Sequence, residues 1–247
     1  MRPRRSSLAA ALAVLVGAAV PPAAAAQSKA DVFAGRIPPV SGQLYRKAGR
    51  FEVTATGNLS LNDAFFTKYF GGVKIGYHVS ESISAALHAA GGTAVQTGSA
   101  VVCSAVGGCV DADERKLRQV PGRIRWLVGA EAAWSPVYGK LNVLSEQVAH
   151  FDLSLLAGPD LIATDEVLEK SAALSGASPG IVTSPGGHLG VGARVFLTQS
   201  IAVRLEVKDY LYAVKVPNVG AGKDLQNQLF AELGLSFFLP SRNRSLR

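Results

Sequence analysis

The sequence FEVTATGNLSL at residues 51–61 alternates apolar and polar side chains at every step. Phe51, Val53 and Ala55 fall on one side of an extended chain, and Glu52 and Thr54 fall on the other. A period of two predicts a β-strand with one apolar and one polar face. At about 3.4 Å per residue and a tilt near about 40°, this stretch rises roughly 28 Å, which matches the apolar band, about 25 Å tall, of a membrane barrel. Strands of soluble proteins are shorter, about five or six residues on average.

The same alternation recurs along the rest of the chain. It predicts further strands at 69–79, 83–95, 123–134, 150–162, 187–197, 201–212 and 228–239. Long strands that each carry one apolar face predict an all-β fold, a closed antiparallel transmembrane β-barrel of about eight strands in up-and-down order. Closure is expected because an open strand edge in lipid would leave backbone groups without hydrogen-bond partners.

The connections between the predicted strands fall into two length classes. Those at 80–82 and 198–200 are very short, whereas those at 96–122, 163–186 and 213–227 are long. Outer-membrane barrels combine short periplasmic turns with longer external loops. The long connections are therefore expected at the outer end of the barrel.

Aromatic residues gather near both predicted ends of the strands. One predicted rim contains Phe51, Tyr77, Trp134, Phe151, Phe196, Phe237 and Phe238, and the other contains Tyr69, Phe70, Trp126, Tyr210 and Tyr212. Membrane barrels have aromatic girdles at both interfaces. The two rims therefore favour an apolar face that points outward to lipid.

The polar face of the strands carries charges of both signs. Alternation alone does not decide which face points outward, so a soluble β protein with solvated polar faces is the alternative. The lumen of an eight-stranded barrel is narrow enough to be filled by side chains, so inward-facing charges are expected to pair there. The predicted lumen charge network comprises Glu52, Lys74, Arg125, Glu131, Asp152, Arg194, Arg204, Glu206, Lys208 and Glu232.

The N-terminal residues have the composition of a signal peptide, with arginines first, an apolar run from Leu8 to Val20, and alanines up to Ala26. The apolar run is too short to span a bilayer, which takes roughly 20 residues, so we expect cleavage after Ala26 and export to the outer membrane. The rest of the chain contains no apolar stretch long enough for a transmembrane helix. The expected organisation is a signal peptide at 1–26, a periplasmic lead-in at 27–49, the barrel domain at 50–240 and a C-terminal tail at 241–247.

The two cysteines, Cys103 and Cys109, flank a short segment of small residues within one long connection. In an exported chain this spacing predicts a local disulfide that pins the loop. The alternative, a pair of metal ligands, lacks further ligands nearby.

The sequence gives little sign of nucleic-acid binding or of catalysis. Removal of the signal peptide, which holds three arginines and no acid, lowers the net charge from +7 to +4, and this charge is spread over 221 residues, which argues against a nucleic-acid partner. The histidines expected to face the lumen, as members of its polar network, are His78, His88 and His188. His150 with Asp152 and Ser154 is a conceivable catalytic set, but these residues merely share one side of a strand. We therefore predict no catalytic, cofactor-binding or metal-binding residues and no enzymatic activity.

Several short motifs resemble those of the outer-membrane β-barrel domain family of Gram-negative envelope proteins. They are GRFEV at 49–53, IGYH at 75–78, YGKL at 138–141 before HFD at 150–152, GVGAR at 190–194 and LGLSFFLP at 233–240. The resemblance covers most of residues 45–240 and rests on structural residues. It implies an outer-membrane location, a surrounding of membrane lipids and insertion by the barrel assembly machinery.

The long loops favour a structural or surface-interaction role, with an extracellular ligand contacting the loops at 96–122 and 163–186. A small passive channel is the second hypothesis. An outer-membrane enzyme that modifies lipids is the third.

Overall fold

The computed structural model describes residues 45–104, 106–143, 147–217 and 223–239. The predicted signal peptide at 1–26 and the predicted tail at 241–247 lie outside the described residues, as does most of the predicted lead-in at 27–49.

Strands make up most of this part of the chain. They are β1 (Phe51–Ser60), β2 (Phe66–His78), β3 (Ile83–Gln96), β4 (Val101–Ser104), β5 (Gly108–Asp111), β6 (Ile124–Val143), β7 (Gln147–Asp165), β8 (Ile181–Phe196), β9 (Ile201–Lys215) and β10 (Lys223–Leu239). Two short helices follow β5 and β7, and they are α1 (Glu114–Leu117) and α2 (Lys170–Leu174). Neither helix is long and apolar enough to cross a membrane.

The eight long strands close into one barrel. Their order around it is β1-β10-β9-β8-β7-β6-β3-β2, with antiparallel neighbours throughout. The first and last strands close the barrel, with pairs that run from Phe51 and Leu239 to Ser60 and Phe230. The predicted fold class, a closed antiparallel up-and-down barrel of eight strands, is confirmed. The remaining two strands, β4 and β5, form a separate hairpin in the connection between β3 and β6.

The barrel has an apolar outer surface and a charged interior. Leu87 on β3 and Leu233 on β10 are 68% and 60% exposed, whereas Glu52 on β1 and Lys208 on β9 are 3% and 0% exposed. Successive side chains of a strand point to opposite faces of the sheet, so the period of two in the sequence separates the two sets. This distribution is the reverse of that in a soluble protein, in which charged side chains are almost never fully buried.

Most strands are longer than their apolar pattern predicts. The segment 135–149, predicted as a connection, is largely strand, because β6 and β7 remain paired as far as Val143 and Gln147. Likewise β8 begins at Ile181, six residues before its predicted start, and pairs with the end of β7. The alternation marks only the stretch with an apolar outer face, while backbone pairing continues past it.

A β-bulge in β6 corrects one part of the predicted face assignment. The pairing with β7 shifts between Ile124 and Trp126, so alternation does not continue through Arg125. Ile124, predicted to face outward, is fully buried in the interior, while Arg125, predicted to face the lumen, is exposed. The prediction that Arg125 belongs to the lumen network is therefore wrong.

The predicted aromatic rims divide between the two faces. Phe51, Tyr77, Trp134, Phe237, Tyr69 and Trp126 are exposed on the outer surface, whereas Phe196, Phe238, Phe70, Tyr210 and Tyr212 are buried inside. Phe237 and Phe238 are consecutive, so only one of the two faces outward. The buried rings close the two ends of the lumen instead of joining an outer girdle.

Candidate functional site

The barrel interior holds nine of the ten charged residues predicted for the lumen network. Seven of the eight barrel strands contribute at least one of them, as Glu52 (β1), Lys74 (β2), Glu131 (β6), Asp152 (β7), Arg194 (β8), Arg204, Glu206 and Lys208 (β9) and Glu232 (β10). All nine are buried, and each lies within 4.0 Å of a group of opposite charge.

Two lysines form the centre of this cluster. Lys74 Nζ lies 3.0 Å from Glu131 Oε1, 2.7 Å from Glu206 Oε2 and 3.4 Å from Glu232 Oε1. Lys208 Nζ contacts the same three carboxylates at 2.9, 2.9 and 3.2 Å. Each ammonium group thus contacts three carboxylates. Those around Lys74 lie on three other strands, whereas one of those around Lys208, the carboxylate of Glu206, lies on the same strand. The cluster therefore links β2, β6, β9 and β10 across the lumen.

Two arginines extend the cluster towards the end of the barrel with the short turns. Arg204 Nη1 donates to Glu52 Oε1 at 3.0 Å, and its guanidinium also contacts Glu206. Arg194 bridges Glu52 Oε2 at 3.0 Å and Asp152 Oδ2 at 3.2 Å. Glu52, the first charge of the stretch that predicted the fold, thus binds both guanidinium groups.

The residues before β1 complete the cluster. This contribution was not predicted from the sequence. Lys47 Nζ donates to Asp152 Oδ2 at 2.6 Å and is 2% exposed. Burial lowers the pKa of Lys47, although Asp152 acts in the opposite direction. Tyr45 stacks on Phe196 with ring centroids 5.2 Å apart. Residues 45–50 have no periodic pattern, so no sequence signal placed them in the mouth of the lumen.

The charges in this cluster balance. The nine predicted residues comprise five acids and four bases, and Lys47 supplies the fifth base. Removing a charge from water costs several kcal/mol unless an opposite charge and hydrogen bonds compensate it. A neutral, fully paired cluster is the arrangement that satisfies this requirement.

Arg125, the tenth predicted residue, lies outside the lumen. Its Nε and Nη2 atoms donate to the two oxygens of Asp165 at 2.6 and 2.8 Å, near the end of the barrel that carries the long loops. Its side chain is 45% exposed, so this is a surface pair of small energetic value.

The lumen contains a second polar cluster, of which the sequence analysis predicted the two histidines but not the aspartate. His88 Nε2 lies 2.9 Å from Asp160 Oδ1, and His188 Nδ1 lies 2.7 Å from Asp160 Oδ2. The three side chains converge, with one nitrogen or oxygen atom of each within 4.8 Å of those of the other two. The predicted inward orientation of both histidines is what the structure shows. Asp160 could have been found, because it has the same parity on its strand as Asp152.

The lumen leaves little room for solute. Between Glu52, Lys74 and Glu131 lies a void of about 10 Å³, which is about the size of one water molecule. At the end with the long loops, an apolar cluster that includes Phe70, Phe230, Ile124, Ile162, Tyr210 and Tyr212 fills the interior. At the other end, Phe196 and Phe238 pack with Tyr45 and Tyr138. The described part of the barrel is therefore closed at both ends.

The end with the long loops carries a separate structural unit. The hairpin β4–β5 contains the disulfide between Cys103 and Cys109, as predicted from the sequence. Its base is fixed by a small core of Phe66, Ala100 and Leu117, all at most 3% exposed. Its tip and one of its sides expose apolar side chains, since Val106 and Val110 are 100% and 63% exposed.

A closed barrel with an apolar belt outside and paired charges inside has the architecture of an outer-membrane β-barrel, because the solvent around the belt must be apolar.

Comparisons with known proteins found matches among solved structures. No family model matches the chain, and no curated protein matches it in sequence. Among solved structures, the chain is similar to the N-terminal β-barrel domain of Pseudomonas aeruginosa OprF, at 13% identity over 78% of this chain and 98% of that one, with a TM-score of 0.47. It is also similar to Neisserial surface protein A (12% identity, 76% and 94% covered, TM-score 0.39) and to OprG of Pseudomonas aeruginosa (12% identity, 78% and 97% covered, TM-score 0.39). These structural neighbours are outer-membrane barrels of eight strands.

Proposed function

We propose that this protein is an integral outer-membrane barrel with a closed lumen, which presents its long loops as a surface for interaction with an extracellular partner. The observation that carries the proposal is the inverted distribution of side chains, with the charges sealed inside and the apolar residues exposed. A membrane location makes this distribution stable. In water, an apolar belt of this extent would exceed the exposed patches of a few hundred Å² that monomeric soluble proteins tolerate.

The location is tested by fractionation and by gel mobility. The full-length chain, expressed with its own N-terminal segment in a Gram-negative host, is expected in the outer-membrane fraction. Closed barrels resist unfolding in detergent until heated, so an unboiled sample should migrate differently from a boiled one. Recovery as a soluble monomer without detergent would contradict the membrane assignment.

The filled lumen argues against the channel hypothesis. The paired charges and the apolar cluster around Phe70 and Ile124 occupy the path through the described barrel. Opening it would separate several buried ion pairs, and breaking one such pair costs about 3–5 kcal/mol. Purified protein in a planar lipid bilayer is therefore expected to give no steady unitary currents. Regular current steps that scale with protein concentration would favour a pore instead.

The enzyme hypothesis has little support in the geometry of its candidate residues. Asp152 Oδ2 accepts hydrogen bonds from Lys47 and Arg194 and belongs to the charge cluster. Ser154 Oγ lies 3.4 Å from the Gly192 carbonyl oxygen. Both side chains point into the lumen, away from the lipid that such an enzyme would modify. A non-catalytic role therefore remains our proposal.

The hairpin β4–β5 is the best candidate for the interaction surface. It lies at the loop end, its shape is fixed by a disulfide, and it exposes Val106 at its tip and Val110 on its side. Exposed apolar side chains on a rigid support are typical of binding sites, because little conformational entropy is lost when they are covered.

The structure shows how to remove this hairpin without disturbing the barrel. Ala112 N donates to Ala100 O at 2.8 Å, so the two ends of the hairpin already meet. Residues 101–111 can be replaced by Asn-Gly, which suits a two-residue turn. Ala100 and Leu117 are retained in this variant, so their contacts with Phe66 are kept. We expect normal membrane insertion and normal heat-dependent gel mobility.

A photo-crosslinking amino acid at Val106 then tests for a partner. In intact cells we expect a discrete protein or polysaccharide adduct at this position. The matched control places the same amino acid at Leu87, which is also well exposed but lies on the barrel wall, and it should yield lipid adducts only. If Val106 gives no adduct beyond those of the control, the interaction role of this hairpin is wrong.

A further inference from the structure

We infer that His88, Asp160 and His188 form a binding site for one divalent transition-metal ion of the zinc class inside the barrel. This site is separate from the loop surface discussed above. The inference does not depend on whether the loops bind an extracellular partner.

The three side chains supply a suitable set of ligands. Two imidazole nitrogens and one carboxylate oxygen are ligands that zinc and related ions accept, whereas calcium and magnesium require oxygen ligands almost exclusively. His88, Asp160 and His188 are 7%, 4% and 2% exposed, and their ligand atoms lie within 4.8 Å of one another. Remaining coordination positions would be taken by water.

The backbone register explains why the three side chains meet. Gly129 on β6 pairs with His88 on β3 and with Asp160 on β7. A side chain at Gly129 would collide with the Asp160 carboxylate, and its Cβ would lie 2.6 Å from the Pro159 carbonyl oxygen. The glycine therefore lets His88 and Asp160 meet across the strand between them. His188 reaches the same carboxylate from the adjacent strand β8.

Charge balance points to a missing cation at this place. The lumen charge network together with Lys47 contains five acids and five bases and is therefore neutral, so it has no unpaired positive charge to compensate Asp160. Among the described residues, Asp160 has no lysine or arginine within 4.0 Å, and its ionic contacts are with His88 and His188. A buried carboxylate without a cation is costly. A bound divalent ion would compensate this carboxylate, and a hydroxide in one of the water positions would balance the second positive charge, since zinc strongly lowers the pKa of its bound water.

Glu131 supplies the outer partner that metal-binding histidines usually have. His188 Nδ1 faces Asp160, and its Nε2 lies 3.5 Å from Glu131 Oε2. A ligating histidine commonly donates its second ring N–H to a carboxylate, which fixes the tautomer and the ring orientation. With a metal bound, His88 would ligate through Nε2 and carry its proton on Nδ1. His188 would ligate through Nδ1 and carry its proton on Nε2, which faces Glu131.

The test uses the full mature chain without an affinity tag. The chain is refolded into detergent micelles in the presence of Zn²⁺ and then passed through a desalting column. The metal is added during refolding because the site is buried in the folded barrel. We expect one zinc per chain by elemental analysis and no retained Mg²⁺ in a parallel sample. Asp160→Asn and His188→Gln should each lower retained zinc at least tenfold. The matched control, His78→Gln, changes a buried lumen histidine outside the site and should retain zinc.

Thermal stability distinguishes a metal ion from a proton as the missing cation. With a chelator, Asp160→Asn should unfold at the same temperature as the wild type or at a higher one, because it removes an uncompensated anion. With Zn²⁺, the wild type should become the more stable of the two. If a histidine proton neutralises Asp160 instead, the variant will be less stable under both conditions, Zn²⁺ will change nothing, and the inference is overturned.

A measurement on the wild type alone tests the site even if the variants do not fold. X-ray absorption at the zinc edge should show two imidazole ligands and otherwise only oxygen. A zinc environment with one imidazole or none, or no zinc retained after refolding, would also refute the site.

Discussion

Glu52 and Val53 are neighbours in the chain, yet they lie on opposite sides of the barrel wall. Glu52 binds Arg194 and Arg204 in the lumen, while Val53 is 37% exposed on the outer surface. A slip of one residue in the register of β1 would exchange the two positions. The opposite demands on consecutive side chains therefore fix the register, and they made the inward and outward faces predictable from sequence.

The outer face is tested by placing a charge on it. Leu87 is 68% exposed and pairs with Ala130, midway between the positions level with Trp126 and Trp134. Leu87→Arg should destabilise the folded barrel in bilayers by about 2–4 kcal/mol, the cost of an arginine at the midplane. Urea unfolding followed by fluorescence measures the difference.

Val106→Arg is the control for this substitution, because Val106 is fully exposed at the tip of the hairpin. Its unfolding midpoint should stay close to that of the wild type. Equal effects of the two substitutions would show that Leu87 does not face lipid.

Because Lys74 lies at the centre of the lumen network, we predict that Lys74→Met strongly lowers the free energy of unfolding. The substitution keeps much of the side-chain volume but leaves Glu131, Glu206 and Glu232 with one ammonium group instead of two. Breaking a buried ion pair in this way should cost about 3–5 kcal/mol in the free energy of unfolding. The same change at Arg125, whose pair with Asp165 is half exposed, should cost about 0–1 kcal/mol. Similar losses in the two variants would mean that the lumen charges are solvated.

At the scale of the strands, sequence reasoning located every barrel strand but not the strand ends. The apolar alternation ends where the outer face stops being apolar, whereas β6 and β7 stay paired for several further residues. The bulge at Ile124 and Trp126 left no signal in the sequence, so Arg125 was assigned to the wrong face. The second shift, between Trp134 and Val137, does have a signal, because Pro136 lies within it and proline in strands favours bulges.

We predict that loss of the disulfide affects the hairpin β4–β5 but not the stability of the barrel. Reducing the bond, or replacing both Cys103 and Cys109 by serine, should leave the unfolding midpoint of the barrel nearly unchanged, because the hairpin forms a sheet of its own. Proteolysis within 101–111 should become faster, since the reduced hairpin opens more readily. Limited proteolysis followed by mass spectrometry measures this rate. Loss of barrel folding on reduction would contradict the separation of the two units.

At the scale of the whole molecule, the strand pattern predicts that the barrel is closed and its lumen filled. It does not predict which residues close the two ends of the lumen. The alternation predicted eight strands, and eight strands leave a lumen that side chains can fill. The contribution of Lys47 and Tyr45 at the short-turn end was not predictable, because the segment before β1 has no periodic pattern. The meeting of His88 with Asp160 was equally hidden, since it depends on which residues of separate strands are level with each other.

The two tryptophans test the central claim, that the apolar face touches lipid, without any substitution. Trp126 and Trp134 are both exposed on the outer face of β6. Their separation along the strand corresponds to roughly 20 Å across the membrane at about 3.4 Å per residue and a tilt near about 40°. Both rings should therefore lie within or at the borders of the apolar band.

The measurement is the quenching of tryptophan fluorescence in the purified barrel, reconstituted into bilayers with brominated acyl chains. We predict strong quenching by the brominated lipids and weak quenching by iodide added to the water. Strong quenching by iodide together with unchanged fluorescence in brominated lipid would contradict the account.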